Sequence, residues 1–372
     1  MDAFREWYPK SLTRAARAAM RDVLAVKRGE RVLIITNPQK EVAQISAALF
    51  NAAAERRASP VLMFQEEKGQ FDFAEEEVIK AMTANPQVVI SISADRLGKD
   101  RHGLAKGYVG RKRRYDHYFD LLYEERGMRG FWSPGVTVDT FARTVPIDYS
   151  QMRSDAALLS RKACRGETIL VTAPGGTHVS VGIRRRRFRL EDGNFKEGGR
   201  VGNLPSGEVF VSPELGTANG TIVFDGSMVL NEGEVVTKTP IEVEVSKGRI
   251  MSVTGGREAA LLKSSIVEGE SRARRMGRSG QIAPRLAEQY ARNAWCIGEL
   301  GIGLNRKARI VANMLEDEKV YGTCHFAVGS NYDGDAEAMI HLDGIVKRPT
   351  VSIISRRGRE EQVMVDGRLV WD

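Results

Sequence analysis

The sequence predicts an α/β protein, with an N-terminal parallel-sheet α/β domain at residues 1–165 and a β-rich α+β domain at residues 166–372. Three observations carry this expectation. The chain has 372 residues, more than one core usually organises. Strand and helix patterns alternate through short links over the first hundred residues, as in βαβ units. Beyond residue 165 the texture changes to short β runs and glycine turns.

Residues 11–27 place Leu12, Ala15, Ala16, Ala19, Met20, Val23 and Leu24 at helical spacing. The apolar run 31–36 suits a strand buried on both faces. Asn37 and Pro38 then turn the chain into a helix over 40–56. Residues 60–64 and 88–92 read as further strands, with a helix over 75–84 between them. No G-x-G-x-x-G follows the first strand, so the dinucleotide fingerprint is missing and this half reads as scaffold. Residues 96–115 are basic and glycine-containing, which predicts a loop or exposed helix, with His102 and His117 at the surface.

In the second half, 169–172 is a strand followed by a tight Pro-Gly-Gly-Thr turn at 174–177. Further β runs fall at 179–183, 220–224, 241–245 and 249–254. Ile241, Val243 and Val245 alternate with Glu242 and Glu244, so one face is buried and one is solvated. Residues 246–249 make a hairpin turn, and 271–293 read as a helical insertion.

The bulk composition narrows the partners. Hydrophobic residues at 42% and charged residues at 28% are ordinary for a globular chain. Three scattered cysteines, Cys164, Cys296 and Cys324, cannot form a disulfide framework, which points to a reducing compartment. The N-terminal stretch has charges throughout and no apolar leader, and no run of 18 apolar residues occurs. The expected location is cytoplasmic, with no membrane partner. The net charge is +8, with arginine runs at 111–114 and 184–187. No nucleic-acid-binding signature accompanies them, so a solvated or subunit-interface surface is expected rather than a nucleic-acid partner.

Three places could carry chemistry. Glu208 opens a short strand after the Pro-Ser-Gly bend at 205–207. Glu299 is the lone charge in an apolar, glycine-rich window at 295–303, where an ionised carboxylate is costly without a compensating cation or hydrogen bonds. The stretch 315–343 holds Glu318, His325, Tyr332, His341 and Asp343. If His341 and Asp343 lie on a strand, their side chains share a face. Such mixed Glu/Asp/His ligation suits zinc, cobalt, manganese or iron.

These segments resemble the aminopeptidase T and aminopeptidase II family of metallopeptidases. The likeness rests on the Asn-Leu-Pro-Ser-Gly-Glu-Val-Phe segment at 203–210, Gly-Glu-Leu-Gly-Ile-Gly at 298–303, Asp317-Glu318, Gly-Thr-Cys-His-Phe-Ala-Val-Gly at 322–329, Tyr332, and His341-Leu-Asp343. Looser likeness extends to 28–35 and 174–177. The resemblance implies metal ligation by Glu208, Glu299, Glu318, His325, His341 and Asp343. It implies catalytic roles for Tyr332, Glu299 and Glu318, a pair of divalent ions (zinc, cobalt or manganese), a peptide or small-amide substrate, and a homodimer. The expected activity is therefore metal-dependent removal of an N-terminal residue by an activated water, with Asp333 or Asp335 as a possible anchor for the free amine.

The spacing departs from that family: His325 and His341 are close, 333–338 lacks the family's glycine and polar pattern, and 255–295 is long. The alternative is the sister group of 2,5-dihydroxypyridine ring-cleaving dioxygenases, which share the Pro-Ser-Gly turn, the short spacing and the His-Leu-Asp element. That group implies one Fe(II) held by two histidines and a carboxylate, with a histidine at the position of Glu299. The carboxylate at 299 favours the hydrolase expectation. A non-catalytic protein on the same scaffold would require that these donors not converge.

Overall fold

The computed structural model describes residues 4–69 and 72–372. The chain forms two compact units: Met1–Arg153 with Glu191–Ser206, and Ser154–Leu190 with Gly207–Asp372. A single cut near residue 165 does not describe this division, because Val201–Asn203 adds a strand to the first unit's sheet.

The first unit is a five-stranded parallel sheet in the order Val201–Asn203, Arg129–Trp132, Val88–Ile92, Arg31–Thr36, Ser59–Phe64. Val88–Ile92 is buried throughout and Arg31–Thr36 at all but its first residue, as expected for central strands covered on both faces. Ser59–Phe64 is the edge strand, which is why Pro60 is tolerated there. The helix expected over 11–27 is Lys10–Ala18 followed by a π-turn, Ala19–Val23. It stops because Ala25 adopts a left-handed φ of 47°. The stretch 96–115 is more ordered than expected: it holds a short helix, Arg101–Lys106, and a small hairpin, Tyr108–Val109 with Arg114–Tyr115. His117 is a half-buried cap rather than a surface residue, its Nδ1 accepting from the Phe119 amide at 3.1 Å. In the first arginine run, Arg113 pairs with Glu124 at 2.7 Å, and the amides of Arg111 and Lys112 donate to Glu125.

The second unit is built on two antiparallel sheets. The eight-stranded one runs Arg249–Thr254, Ile241–Ser246, Asn219–Phe224, His178–Gly182, Thr168–Thr172, Thr350–Ile354, Glu360–Val365, Arg368–Leu369. Ile241–Ser246 shows the expected in-out alternation of burial. The seven-stranded sheet carries the candidate residues, in the order Gly233–Val236, Ser227–Leu230, His341–Lys347, Thr323–Gly329, Ile297–Gly303, Glu208–Val211, Arg189–Glu191. The helical insertion is longer than expected and double: Arg257–Arg278 and Pro284–Asn293, separated at Gly280, which takes a φ of 73°.

Candidate metal centre

The central strands put the candidate donors on one sheet face. Glu208 stands opposite Gly303, Gly301 opposite His325, and Glu299 opposite Ala327, which is itself opposite Asp343; Gly329 faces His341. Because alternate residues share a face, Glu208, Glu299, His325, His341 and Asp343 all project to the same side. Gly301, Gly303 and Ala327 lie between them and leave the space that their side chains fill. The other face carries Leu300, Ile302, Cys324, Phe326 and Leu342, all buried in the core.

Two glycines are required by this packing. A Cβ on Gly301 would sit 2.1 Å from His325 Cε1 and 2.2 Å from its Nε2, so the imidazole lies directly across that residue. A Cβ on Gly303 would sit 2.1 Å from the Val320 carbonyl oxygen and 2.9 Å from the Lys319 carbonyl carbon. Its absence lets the backbone around 319–320 rest on the strand, and Glu318 and Lys319 enter the site from there.

His325 Nε2 lies 3.1 Å from Glu299 Oε1 and 3.5 Å from Glu208 Oε2. His341 Nε2 lies 3.3 Å from Asp343 Oδ1 and 3.7 Å from Glu299 Oε2. Glu299 thus points one oxygen at each imidazole. His341 Nδ1 is 2.9 Å from the Ser330 carbonyl oxygen, to which it donates, leaving Nε2 to face the carboxylates. Glu318, His325 and Asp343 each bring a donor atom within 4.8 Å of the others, as do Glu208, Glu299 and His325. All six expected ligands are therefore gathered. Tyr332 borders them as an exposed residue, its ring 5.3 Å from both the His341 and Phe210 rings.

The donor set fits a cation. Glu299 Oε2 and Asp343 Oδ1 are buried without a hydrogen bond, although buried carboxylate oxygens are normally satisfied. A metal with bonds of about 2.1 Å spaces adjacent ligands roughly 3.0–3.4 Å apart, close to the distances around His341 Nε2. The electrostatics agree. Burial alone would lower the His325 imidazole, but the hydrogen bond to Glu299 and the charges of Glu208, Glu299 and Asp343 push it up to about 9. Burial likewise opposes charge on His341, yet Asp343 and Glu299 push it up to about 10. The Asp343 carboxyl is held down: burial favours its neutral form, and His341 outweighs it. This face attracts positive charge strongly.

Sequence reasoning missed Lys319. It is fully buried, and its Nζ donates to Glu208 Oε1 at 2.7 Å and to Glu318 Oε1. The run 316–319 has the local look of a solvated charged turn, yet Glu316, Asp317 and Lys319 have no exposed surface. Glu316 accepts from the Arg309 amide, and Asp317 accepts from Ser227 Oγ and the Val311 and Ala312 amides. Ser227 and Glu208 are 90 and 111 positions from their partners and leave no local signal, whereas the amides of Arg309, Val311 and Ala312 lie only five to seven residues upstream, in a loop with no periodic pattern. The amine-anchoring role expected of Asp333 or Asp335 does not fit: both are engaged by Arg186, at 3.2 and 2.7 Å, and Asp333 also by Arg189 at 3.2 Å.

Comparison with known proteins separates the two activities. The family model described as 2,5-dihydroxypyridine 5,6-dioxygenase (NicX) matches residues 136–370, a span that includes every donor named above. The 2,5-dihydroxypyridine 5,6-dioxygenase of Pseudomonas putida is 26% identical over 216 residues. That alignment covers 55% of each sequence, so the chain matches about half the length of this curated relative. Among solved structures, the 2,5-dihydroxypyridine dioxygenase of Pseudomonas putida KT2440 is similar with a TM-score of 0.71 and 16% identity, over 97% of both chains. Wild-type AmpT from Thermus thermophilus is similar with a TM-score of 0.65 and 17% identity, over 99% of this chain and 100% of that one. At such identities these two structures speak for the α/β fold alone. The family match overturns the expected metallo-aminopeptidase: the hydrolase, protease and peptide-bond reading gives way to the alternative. A carboxylate at 299 does not by itself imply a hydrolase: its oxygens face His325 and His341, while Glu208 and Glu318 are engaged by Lys319. Among the described residues no helix is long and apolar enough to cross a membrane.

Proposed function

We propose that this chain, which belongs to the 2,5-dihydroxypyridine 5,6-dioxygenase family, is a non-haem iron(II) dioxygenase that opens a hydroxylated pyridine or a closely related aromatic ring. The observation that carries the reading is the family match over residues 136–370, which spans the whole donor cluster. Glu299, His341 and Asp343 are the proposed ligands. Their facing atoms are Glu299 Oε2, Asp343 Oδ1 and His341 Nε2, and the two oxygens have no hydrogen bond. This is a carboxylate-rich version of the facial triad of non-haem iron oxygenases. An iron(II) ion bound there would supply the one-electron chemistry that dioxygen needs and would draw the ring hydroxyls to itself.

The chain's own residues do the rest. Ser330 fixes the His341 ring through Nδ1, so that Nε2 is presented at a set angle. His341 is the more open of the two imidazoles, 26% exposed against none for His325, so substrate approaches from the His341 side. There the Tyr332 and Phe210 rings offer apolar edges to a planar substrate. His325 lies behind Glu299 and orients its Oε1, leaving Oε2 for the ligand position. Tyr332 is proposed as the hydrogen-bond donor to a substrate hydroxyl, in place of the oxyanion role expected from the peptidase likeness.

The test is anaerobic loading with Fe(II), then addition of 2,5-dihydroxypyridine and air. Oxygen consumption should match loss of the ring's absorbance one to one, and His341→Ala should abolish both. An iron-loaded protein that consumes no oxygen with hydroxylated pyridines or catechols would sink the reading.

A further inference from the structure

Lys319 is the buried charge that the proposed ligand set leaves unused. Its Nζ sits between Glu208 and Glu318, the two carboxylates that a dinuclear centre would spend on its second ion. Its backbone is fixed on both sides. The Lys319 carbonyl accepts from the Asn305 amide at 2.8 Å, its amide donates to the Glu316 carbonyl at 2.9 Å, and Gly303 gives the segment room against the strand. The side chain has no exposed surface, so it cannot swing into solvent without moving that segment.

Charge points the same way. Glu208, Glu299, Glu318 and Asp343 bring four negative charges and Lys319 returns one. One divalent ion would leave a net charge of −1 and two would leave +1, so what disfavours the second is its seat: it would lie against an ammonium that shares its oxygens. An uncompensated buried charge of either sign is disfavoured.

We propose that the Lys319 ammonium occupies the seat of a second cation and thereby restricts the centre to one divalent ion. Resting on the metal-centre reading above, this adds that nuclearity is set by one side chain that is not itself a ligand. Lys319 is a positioning residue: it holds Glu208 and Glu318 away from the bound ion. Replacing it with an uncharged side chain of similar length frees both carboxylates and restores the charge that two divalent ions would balance.

The experiment is metal stoichiometry, with Mn(II) as the probe. Purified metal-free wild type, Lys319→Met and Lys319→Arg are titrated calorimetrically, bound metal is counted by elemental analysis, and each sample is frozen for electron paramagnetic resonance. The expected result is one Mn(II) per chain in wild type and in Lys319→Arg. Lys319→Met should bind two, with the second giving the broadened spectrum of an exchange-coupled pair. Two ions in wild type overturn the proposal without any variant, so it stays falsifiable if Lys319→Met does not fold. One ion in both wild type and a folded Lys319→Met overturns it while leaving the metal-centre reading intact. No ion in wild type overturns both.

Discussion

Gly301 shows how much of the site depends on an atom that is missing. Its absent Cβ makes the space in which the His325 ring lies, and that ring in turn sets the direction of Glu299. Gly301→Ala would place a methyl group about 2 Å from imidazole atoms. The ring must then rotate or the strands must part, and overpacking of this kind costs about 1–3 kcal/mol. Because the displaced group orients a proposed ligand, the loss should be concentrated in the site. The variant should melt about 2–12 °C below wild type, and bind Fe(II) at least about tenfold more weakly, as expected when contacts that orient a ligand are disrupted. Isothermal titration beside a thermal melt separates the two. A large loss of stability with unchanged metal affinity would show that His325 is a core residue and no more.

Among the elements, the loop between Thr323–Gly329 and His341–Lys347 carries Tyr332 and owes its shape to charge. Asn331 Oδ1 accepts from the Gly334 and Ala336 amides, and Arg186 grips Asp333 and Asp335. Arg189 Nη2 donates to the Tyr332 carbonyl at 2.7 Å. Of the second arginine run, Arg186 holds this loop, with Arg189 just beyond the run, while Arg184 pairs with Glu214. Arg186→Ala removes a largely buried, doubly charge-assisted contact, of the class worth roughly 1.5–3 kcal/mol. The expected consequence is a rise in KM of about tenfold or more with metal content unchanged, measured by oxygen uptake across substrate concentrations. An equal fall in metal content would instead tie the loop to the ligands. Elements with a strong period were legible in the sequence: the apolar runs 31–36 and 88–92, and the alternation at 241–245. The loop's function was not, because pairs such as Arg186 with Asp335 span nearly 150 positions and leave no local trace. The donors His325, His341, Glu299 and Glu208 were readable from residue type and context. Lys319 was not, since a buried lysine and a solvated one look alike in a charged run.

At the scale of the whole molecule, the chain separates scaffold from chemistry. The first unit is a parallel sheet with apolar central strands, whereas every proposed ligand belongs to the second unit, on two strands of one sheet, Ile297–Gly303 and His341–Lys347, that flank Thr323–Gly329. Four neighbouring strands and the turn at 318–319 gather four carboxylates, two imidazoles and one ammonium in a largely buried layer, an arrangement that a bound cation would stabilise. Binding an ion only in the folded state stabilises that state by mass action, by about 2.7 kcal/mol when the ion is at one hundred times its dissociation constant. For a unit of this size that is roughly 5–10 °C of melting temperature. Removing the ion with a chelator should therefore lower the melting temperature by about that much, and returning Fe(II) or Mn(II) should restore it. The loss should also be local. Hydrogen exchange should speed up in Ile297–Gly303, Thr323–Gly329 and His341–Lys347, and stay unchanged in Arg31–Thr36 and Val88–Ile92 of the first unit. Uniform acceleration across both units would mean that the ion supports the whole chain rather than one sheet. No change on chelation would mean that Lys319 and the protonated histidines already balance the carboxylates, and that the ion serves chemistry alone.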